Sequence, residues 1–309
     1  MKTVSTVCAA LLLLALLLAA CAPAQAPTPA ATPTSAGLTL TDGAGRQVKL
    51  SGPAMKIISL APSNTEILYA IGAGSRVIGR DEFSDYPAEA KALPSVGGSM
   101  GKYNLEQIAS LQPDLVLAAS LNTPEEIKSL EDLKLTVFVV ANPTTLDGLY
   151  ANLAAVGSLT GQSAQAETLV ASLKQRVQAV SDQAAKVTGT PKVFYELDGS
   201  DPSKPWTAGP GSFITTLITM AGGVNVGSSL KSDYAQISQE ALITANPDVI
   251  LLGDAAYNVT ADQVAKRPGW DGIQAVKDNK IFTFDDNLVS RPGPRLVDGL
   301  ETIFKILHP

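Results

Sequence analysis

Residues 164–187, AQAETLVASLKQRVQAVSDQAAKV, run for 24 residues without a glycine or a proline. Leu169, Leu173, Val177 and Val180 recur at steps of four, four and three, so one face of a single long helix is apolar. Gly161 on one side and Gly189-Thr190-Pro191 on the other punctuate it. At 1.5 Å per residue such a helix is about 36 Å long, enough to cross a small two-lobed protein. The chain on either side repeats itself. Asn104–Leu117 (NLEQIASLQPDLVL) and Ser238–Leu251 (SQEALITANPDVIL) align without a gap. Each sets a glutamate eight residues ahead of an aspartate, Glu106 with Asp114 and Glu240 with Asp248. Each reads as amphipathic helix, Pro-Asp turn and apolar strand. That connection is common in α/β proteins, but one copy on each side of the long helix predicts two lobes of like topology.

Further runs extend the pattern. Lys56–Ala61, Arg76–Gly79, Leu115–Ala119, Val137–Val140, Val193–Glu196, Val249–Leu252 and Ile281–Phe284 read as buried strands. Helical stretches such as Thr65–Ile71, Leu105–Leu111 and Glu125–Leu133 lie between them. This alternation predicts an α/β protein of two Rossmann-like lobes with parallel sheets, joined by one long α-helix. Binding crevices in such sheets lie off the strand carboxyl ends. The expected organisation is a signal segment over 1–20, a tether over 21–37, a first lobe over 38–160, the linking helix over 161–189 and a second lobe over 190–309.

Composition removes several functions. Of 309 residues, 45% are hydrophobic and 17% charged, which is enough apolar material for sizeable cores. A net charge of −6 without any basic stripe excludes a nucleic-acid surface. One histidine (His308) and two cysteines (Cys8 and Cys21) cannot build a zinc or copper site, so no protein-held metal is expected. Most histidine acid–base catalysis is excluded with it. Lys2 and the 12 apolar residues 9–20 (AALLLLALLLAA) fall short of the roughly 20 that span a bilayer and read as a secretory signal. The run ends in Leu18-Ala19-Ala20-Cys21, which resembles the lipobox of bacterial lipoproteins and implies cleavage before Cys21 and lipidation of its thiol. An ordinary signal peptide cut near Ala22 or Ala26 is the alternative. Residues 22–36 (APAQAPTPAATPTSA) favour extended polyproline-like chain and read as a tether to the membrane.

Together the lobes, the helix, the export signal and several strings resemble the substrate-binding proteins of ABC importers for metal chelates, a family that carries cobalamin, ferric siderophores and haem. The strings are Ser59–Ala73 (SLAPSNTEILYAIGA), Ser84–Pro87 (SDYP), Asn104–Leu117, Gly222–Asn225 (GGVN), Ser238–Leu251 and Arg291–Pro309 (RPGPRLVDGLETIFKILHP). Their order and spacing are specific where no single string is. The resemblance implies a monomer whose lobes hinge on a rigid helix and clamp a small-molecule chelate with modest closure. It implies no cofactor and no chemistry on the ligand, which passes to a permease dimer. The protein would be periplasmic or lipid-anchored to the outer face of the cytoplasmic membrane. The resemblance also assigns Glu66 and Glu240 as exposed carboxylates that dock on permease arginines. Pattern alone gives Glu66 another task, since Ser63-Asn64-Thr65-Glu66 is S-x-x-E before an apolar run, a capping box.

A metal chelate such as a corrinoid is large, flat and partly apolar, so aromatic rings in loops suit it, with ordinary packing as their alternative role. Trp206 lies in Lys204–Gly211 (KPWTAGPG), Phe83 and Tyr86 flank Ser84-Asp85, and Tyr234 precedes the Glu240 helix. The resemblance places Phe83, Trp206 and Tyr234 where cobalamin binders put aromatics around the corrin. Met100 and Ala119 stand where such binders can carry tryptophans, and Asn287 where an acid can lie. Cobalamin is placed ahead of a siderophore or haem on this pattern. Arg291, ahead of Arg295 and Arg80, is the candidate contact for an anionic chelate, with helix capping or pairing to a carboxylate as the alternative. Asp81, Glu82 and Asp85 read as a solvated acidic loop, because calcium loops space their ligands more regularly.

Rival classes are weaker. Gly97-Gly98-Ser99-Met100-Gly101 matches the G-x-S-x-G nucleophile elbow, so a serine hydrolase using Ser99 is the remote alternative. Its base would have to be His308, one residue from the end, and no strong strand precedes the string. Gly72-x-Gly74 with Gly79 lacks the spacing of a dinucleotide fingerprint. A purely adhesive lipoprotein would not need paired glutamates.

Overall fold

The computed structural model describes residues 37–98 and 101–309. The expectations for the signal segment, the Cys21 lipidation site, the tether up to residue 36, Ser99 and Met100 lie outside the described residues. In chain order the strands are β1 (Leu38–Thr41), β2 (Gln47–Leu50), β3 (Ile57–Ser59), β4 (Val77–Arg80), β5 (Leu115–Ala119), β6 (Val137–Val140), β7 (Lys192–Asp198), β8 (Trp206–Ala208), β9 (Val224–Asn225), β10 (Tyr234–Gln236), β11 (Val249–Leu252) and β12 (Ile281–Thr283). The helices are α1 (Pro62–Ala70), α2 (Leu105–Ser110), α3 (Pro124–Asp132), α4 (Leu146–Leu159), α5 (Ser163–Ala184), α6 (Phe213–Met220), α7 (Gln239–Ala245), α8 (Ala261–Ala265), α9 (Gln274–Lys277), α10 (Asn287–Ser290) and α11 (Leu296–Leu307).

The first sheet runs β4-β3-β5-β6 and is parallel throughout. Its β6 edge is covered by the turn of the β1-β2 hairpin. Gly43 N–H donates to Val139 O, Val139 N–H donates to Asp42 Oδ2, and Arg46 donates to Val137 O. The hairpin thus occupies backbone groups that an open edge would offer to another chain.

The second sheet runs β10-β8-β7-β11-β12, with β9 beside β7. The two α/β lobes match the sequence expectation, but this sheet is mixed: β8 is antiparallel to β7, and β10 to β8. The reason is local. Residues 199–205 return the chain directly, whereas a parallel partner needs a crossover of a dozen or more residues. The short β8, β9 and β10 carry no apolar run long enough to mark them in the sequence.

The internal repeat is structural. β5 pairs with β3 as β11 pairs with β7, both parallel. Asn104 caps α2 by accepting from Gln107 N–H, and Ser238 caps α7 by accepting from Ala241 N–H. The residues before the two prolines, Gln112 and Asn246, both take φ of +49°. Asp114 then accepts from Met55 and Lys56 N–H, and Asp248 from Lys192 N–H, tying each central strand to its neighbour.

Strand residues alternate between cores. Ile57, Leu115, Leu117, Val193, Tyr195, Val249 and Leu251 join one continuous cluster that passes through both lobes. Ile58, Val116 and Ala118 face a second cluster, and Phe194, Ile250 and Leu252 a third. The central parallel strands of both sheets are therefore buried on both faces. Helix α5, the 24-residue run trimmed to 22, packs on α4 in the first lobe and on α6 and α11 in the second. Its Ala166, Leu173 and Val180 are buried in the shared cluster, and Arg176 binds Asp298 and Glu301 of α11. Leu173→Ala is expected to cost about 2–5 kcal/mol, read as a lower urea midpoint. An unchanged midpoint would contradict the role of α5 as part of the common core.

Candidate functional site

The strand carboxyl ends of the two sheets meet through the loop 81–87 that follows β4 and the segment 284–295 that follows β12. Arg295, at the start of α11, grips both oxygens of Glu66 of α1 with one edge of its guanidinium. Nε donates to Oε2 at 3.0 Å and Nη2 to Oε1 at 2.6 Å. Arg291 Nη1 donates to Asp85 Oδ1 at 2.6 Å and stands 3.5 Å from Glu66 Oε1, while Nη2 donates to Phe83 O at 3.3 Å. The Arg295 guanidinium also lies 4.0 Å over the Tyr86 ring. Burial works against ionising Asp85, yet the hydrogen bond and charge of Arg291 outweigh it and hold this carboxyl below its ordinary range. Burial likewise disfavours the Arg295 charge, and the Glu66 carboxylate more than offsets it.

These contacts correct the reading of Glu66 as an exposed carboxylate. Its side chain is 1% exposed and its charge is already answered by two arginines of the other lobe. The capping box is corrected too. Helix α1 begins at Pro62 with Ala61 as N-cap and no side-chain cap, so Ser63 to Leu68 lie inside the helix and are buried. Arg291 is turned onto Asp85, Glu66 and the Phe83 carbonyl, and the Tyr86 ring lies under Arg295 beside a hollow of about 540 Å³ next to α5. Arg80, the weaker basic candidate, spends its donors on the carbonyls of Ala90, Asp81, Glu82 and Lys91. Asp81 is buried rather than solvated. It ends a hydroxyl chain through Ser84, Thr65 and Ser59, and burial raises its pKa against the opposing Ser84 bond.

Several of the large apolar side chains left in solvent lie at or just beyond strand ends. Phe83 follows β4 and is 54% exposed; Leu121 follows β5 and is 87% exposed. Trp206 opens β8 opposite Asp198, at the carboxyl end of β7, and Tyr257 follows β11; they are 42% and 82% exposed. Tyr234, also exposed, opens β10 opposite Ala208; burial raises its phenol pKa and the charge of Asp286 adds to this. Leu121 and Tyr257 were not singled out from sequence. Their only signal was a lone apolar residue just past each of the two repeated strands. Trp270 is fully buried, so Trp206 is the solvent-facing tryptophan.

The second-lobe wall is acidic. A hollow of about 500 Å³ is lined by Tyr257, Asp285, Asp286 and Asn287, and an adjoining one of about 550 Å³ by Tyr257, Asp198 and Asp254. Beneath it Glu196 is fully buried and ion-paired with Arg267. Burial raises the Glu196 pKa, with Arg267 pulling it back down. A hollow of about 590 Å³ lies at the other end of the lobe, where Lys280, Lys305 and His308 line it. His308 Nε2 is 3.0 Å from Ala221 O, so the one histidine is a structural partner of the backbone there. Glu106 and Glu240, at matching positions of the repeat, are both exposed on the first turns of α2 and α7.

Two α/β lobes joined by one long helix, with exposed apolar side chains near strand ends in both, are the geometry of a solute-binding protein. The family model described as periplasmic binding protein matches residues 57–288. The chain belongs to this family of ABC-importer substrate-binding proteins, which are non-enzymatic transport components. It is 33% identical over 275 residues, 88% of this chain and 86% of the other, to an uncharacterized ABC transporter substrate-binding lipoprotein, YvrC, of Bacillus subtilis. It is 30% identical to a vitamin B12-binding protein of Vibrio cholerae over 253 residues, 81% and 88% of the two chains. A possible iron-binding periplasmic solute-binding protein of Staphylococcus epidermidis superposes with a TM-score of 0.71 at 31% identity, covering 83% of this chain and 99% of that one. Among the described residues no helix is long and apolar enough to cross a membrane.

The Glu196–Arg267 pair gives a signed pH expectation. Arg267→Ala leaves a buried carboxylate unpaired and is expected to cost about 3–5 kcal/mol near neutral pH. The raised pKa of Glu196 would rise further without its partner. A carboxyl with a raised folded pKa contributes stability at pH below its unfolded value and loses it as pH rises through the folded value. The variant should therefore recover part of its deficit as pH falls toward the ordinary glutamate range, read by thermal melts across pH. A deficit independent of pH would contradict the pairing.

Proposed function

We propose that this protein captures a metal chelate outside the cytoplasmic membrane, cobalamin or a related corrinoid in first place, and hands it to the permease of an ABC importer. The observation that carries the ligand preference is the state of the arginines. All seven are engaged within the protein: Arg46 with Asp42 and Glu131, Arg76 with backbone carbonyls, Arg80 with carbonyls, Arg176 with Asp298 and Glu301, Arg267 with Glu196, and Arg291 and Arg295 with Glu66 and Asp85. A strongly anionic chelate, such as a catecholate siderophore or a haem with its propionates, would find no arginine waiting and an acidic second-lobe wall. A corrinoid with a broad apolar face and a rim of amide donors suits exposed rings and carboxylates. Phe83, Trp206, Tyr234 and Asn287, joined by Leu121 and Tyr257, are the proposed contacts; Tyr86 and Arg291 act through the junction between the lobes. The relatives named for vitamin B12 and for iron leave a ferric siderophore or haem as the second reading.

Docking is proposed through Glu106 and Glu240 in place of Glu66. Both are exposed, both sit on the first turn of the repeated helix, and two like lobes suit a permease dimer of like halves. Such ion pairs supply register and specificity more than affinity. The protein acts as a monomer held near the membrane by lipid on Cys21.

Cobalamin is expected to quench Trp206 fluorescence at lower concentration than haemin or a ferric hydroxamate siderophore, titrated side by side. Quenching by the siderophore alone would overturn the corrinoid preference. Glu106→Ala combined with Glu240→Ala is expected to abolish uptake in cells while chelate affinity stays within a few-fold. An equal loss of chelate binding would refute the docking role.

A further inference from the structure

Glu66 is the conspicuous sequence residue to which delivery of a ligand assigns no task, and its surroundings supply one. Arg291 and Arg295 come from one five-residue segment, Arg291-Pro292-Gly293-Pro294-Arg295, in which both prolines have fixed φ. At Gly293 a Cβ would stand 3.1 Å from Glu66 Oε2, a tight contact that the glycine avoids. Arg295 holds Glu66 with one edge and covers Tyr86 with its face. Arg291 reaches Glu66, Asp85 and the Phe83 carbonyl. The donors of this second-lobe segment thus converge on Glu66 and on the first-lobe loop that carries Phe83 and Tyr86. On one side lies the hollow shared with Leu169 and Leu173 of α5; on the other is Asp285 of the acidic wall, 4.0 Å from Arg295. The lobes are therefore joined at a second place besides the linking helix.

We propose that Glu66 is a positioning residue that clasps the lobes, fixing the Phe83–Tyr86 loop against residues 291–295 and setting the cleft width before any ligand arrives. A surface ion pair could not do this, because solvent and salt would screen it. With Glu66 out of solvent, its charge keeps both guanidinium groups in place, and a cleft held ready loses less freedom on binding.

Amide hydrogen exchange of the ligand-free full chain tests this directly. Glu66→Gln keeps the shape and removes the charge. It should speed exchange in 81–87 and 287–295 by about tenfold or more while 164–184 keeps its wild-type rates, the pattern of a local opening. Asp85→Asn alters only the half-exposed end of the clasp and leaves the Glu66–Arg295 pair, so it should speed 81–87 alone by about threefold. Acceleration confined to these segments in Glu66→Gln supports the clasp. Wild-type rates in Glu66→Gln, or acceleration only as an even rise along the whole chain, would overturn it. No ligand is used, so failure here leaves the chelate reading intact, and failure of chelate binding leaves the clasp intact.

Discussion

A carboxylate with almost no access to water must have its charge answered nearby, since the unpaired ion would cost several kcal/mol. Glu66 is in that position, and the answering charges come from the other lobe, on Arg295 and Arg291. This constraint orders much of the molecule. With it go a chain after β12 that returns across the lobe boundary and a loop after β4 that presents Asp85 and the Phe83 carbonyl to Arg291. The linking helix gives the lobes a common core; the clasp brings their strand carboxyl ends together.

The function follows from what the clasp leaves open. Phe83 and Leu121 on one side and Trp206 and Tyr257 on the other remain in solvent at the ends of strands, where exposed apolar groups ask for a partner. The acidic groups of the second lobe are not matched by any unengaged arginine. On the proposed function, such a cleft is expected to favour a broad apolar solute with hydrogen-bond donors at its rim over one rich in negative charge. The chain belongs to a family of non-enzymatic transport components.

Much of the architecture was legible in the sequence because it rests on periodicity. β5, β6 and β11 occupy the spans that their apolar runs indicate, and the repeat predicted the matching helix–strand units on either side of α5. The short strands β8, β9 and β10 were not legible, since two or three residues in a sheet leave no pattern. The site was read less well, for a physical reason. S-x-x-E looks the same whether the glutamate caps a helix, faces solvent or is buried against arginines more than two hundred residues away. Only tertiary contact separates those cases. The repeat pairs Glu106 with Glu240 at matching positions, whereas the docking role of Glu66 rested on the resemblance alone. Leu121 and Tyr257 carried almost no sequence signal, because exposure cannot be read from a single residue type.

The proposed site for the chelate is a pre-set cleft at the strand carboxyl ends, with Glu66 and its two arginines at its base. A crystal structure of the protein with cobalamin tests it most directly. The corrin is expected between Phe83 and Leu121 on one wall and Trp206 and Tyr257 on the other, with the Glu66–Arg295 pair intact. A corrin bound elsewhere, or bound there only after that pair has parted to widen the cleft, would contradict it.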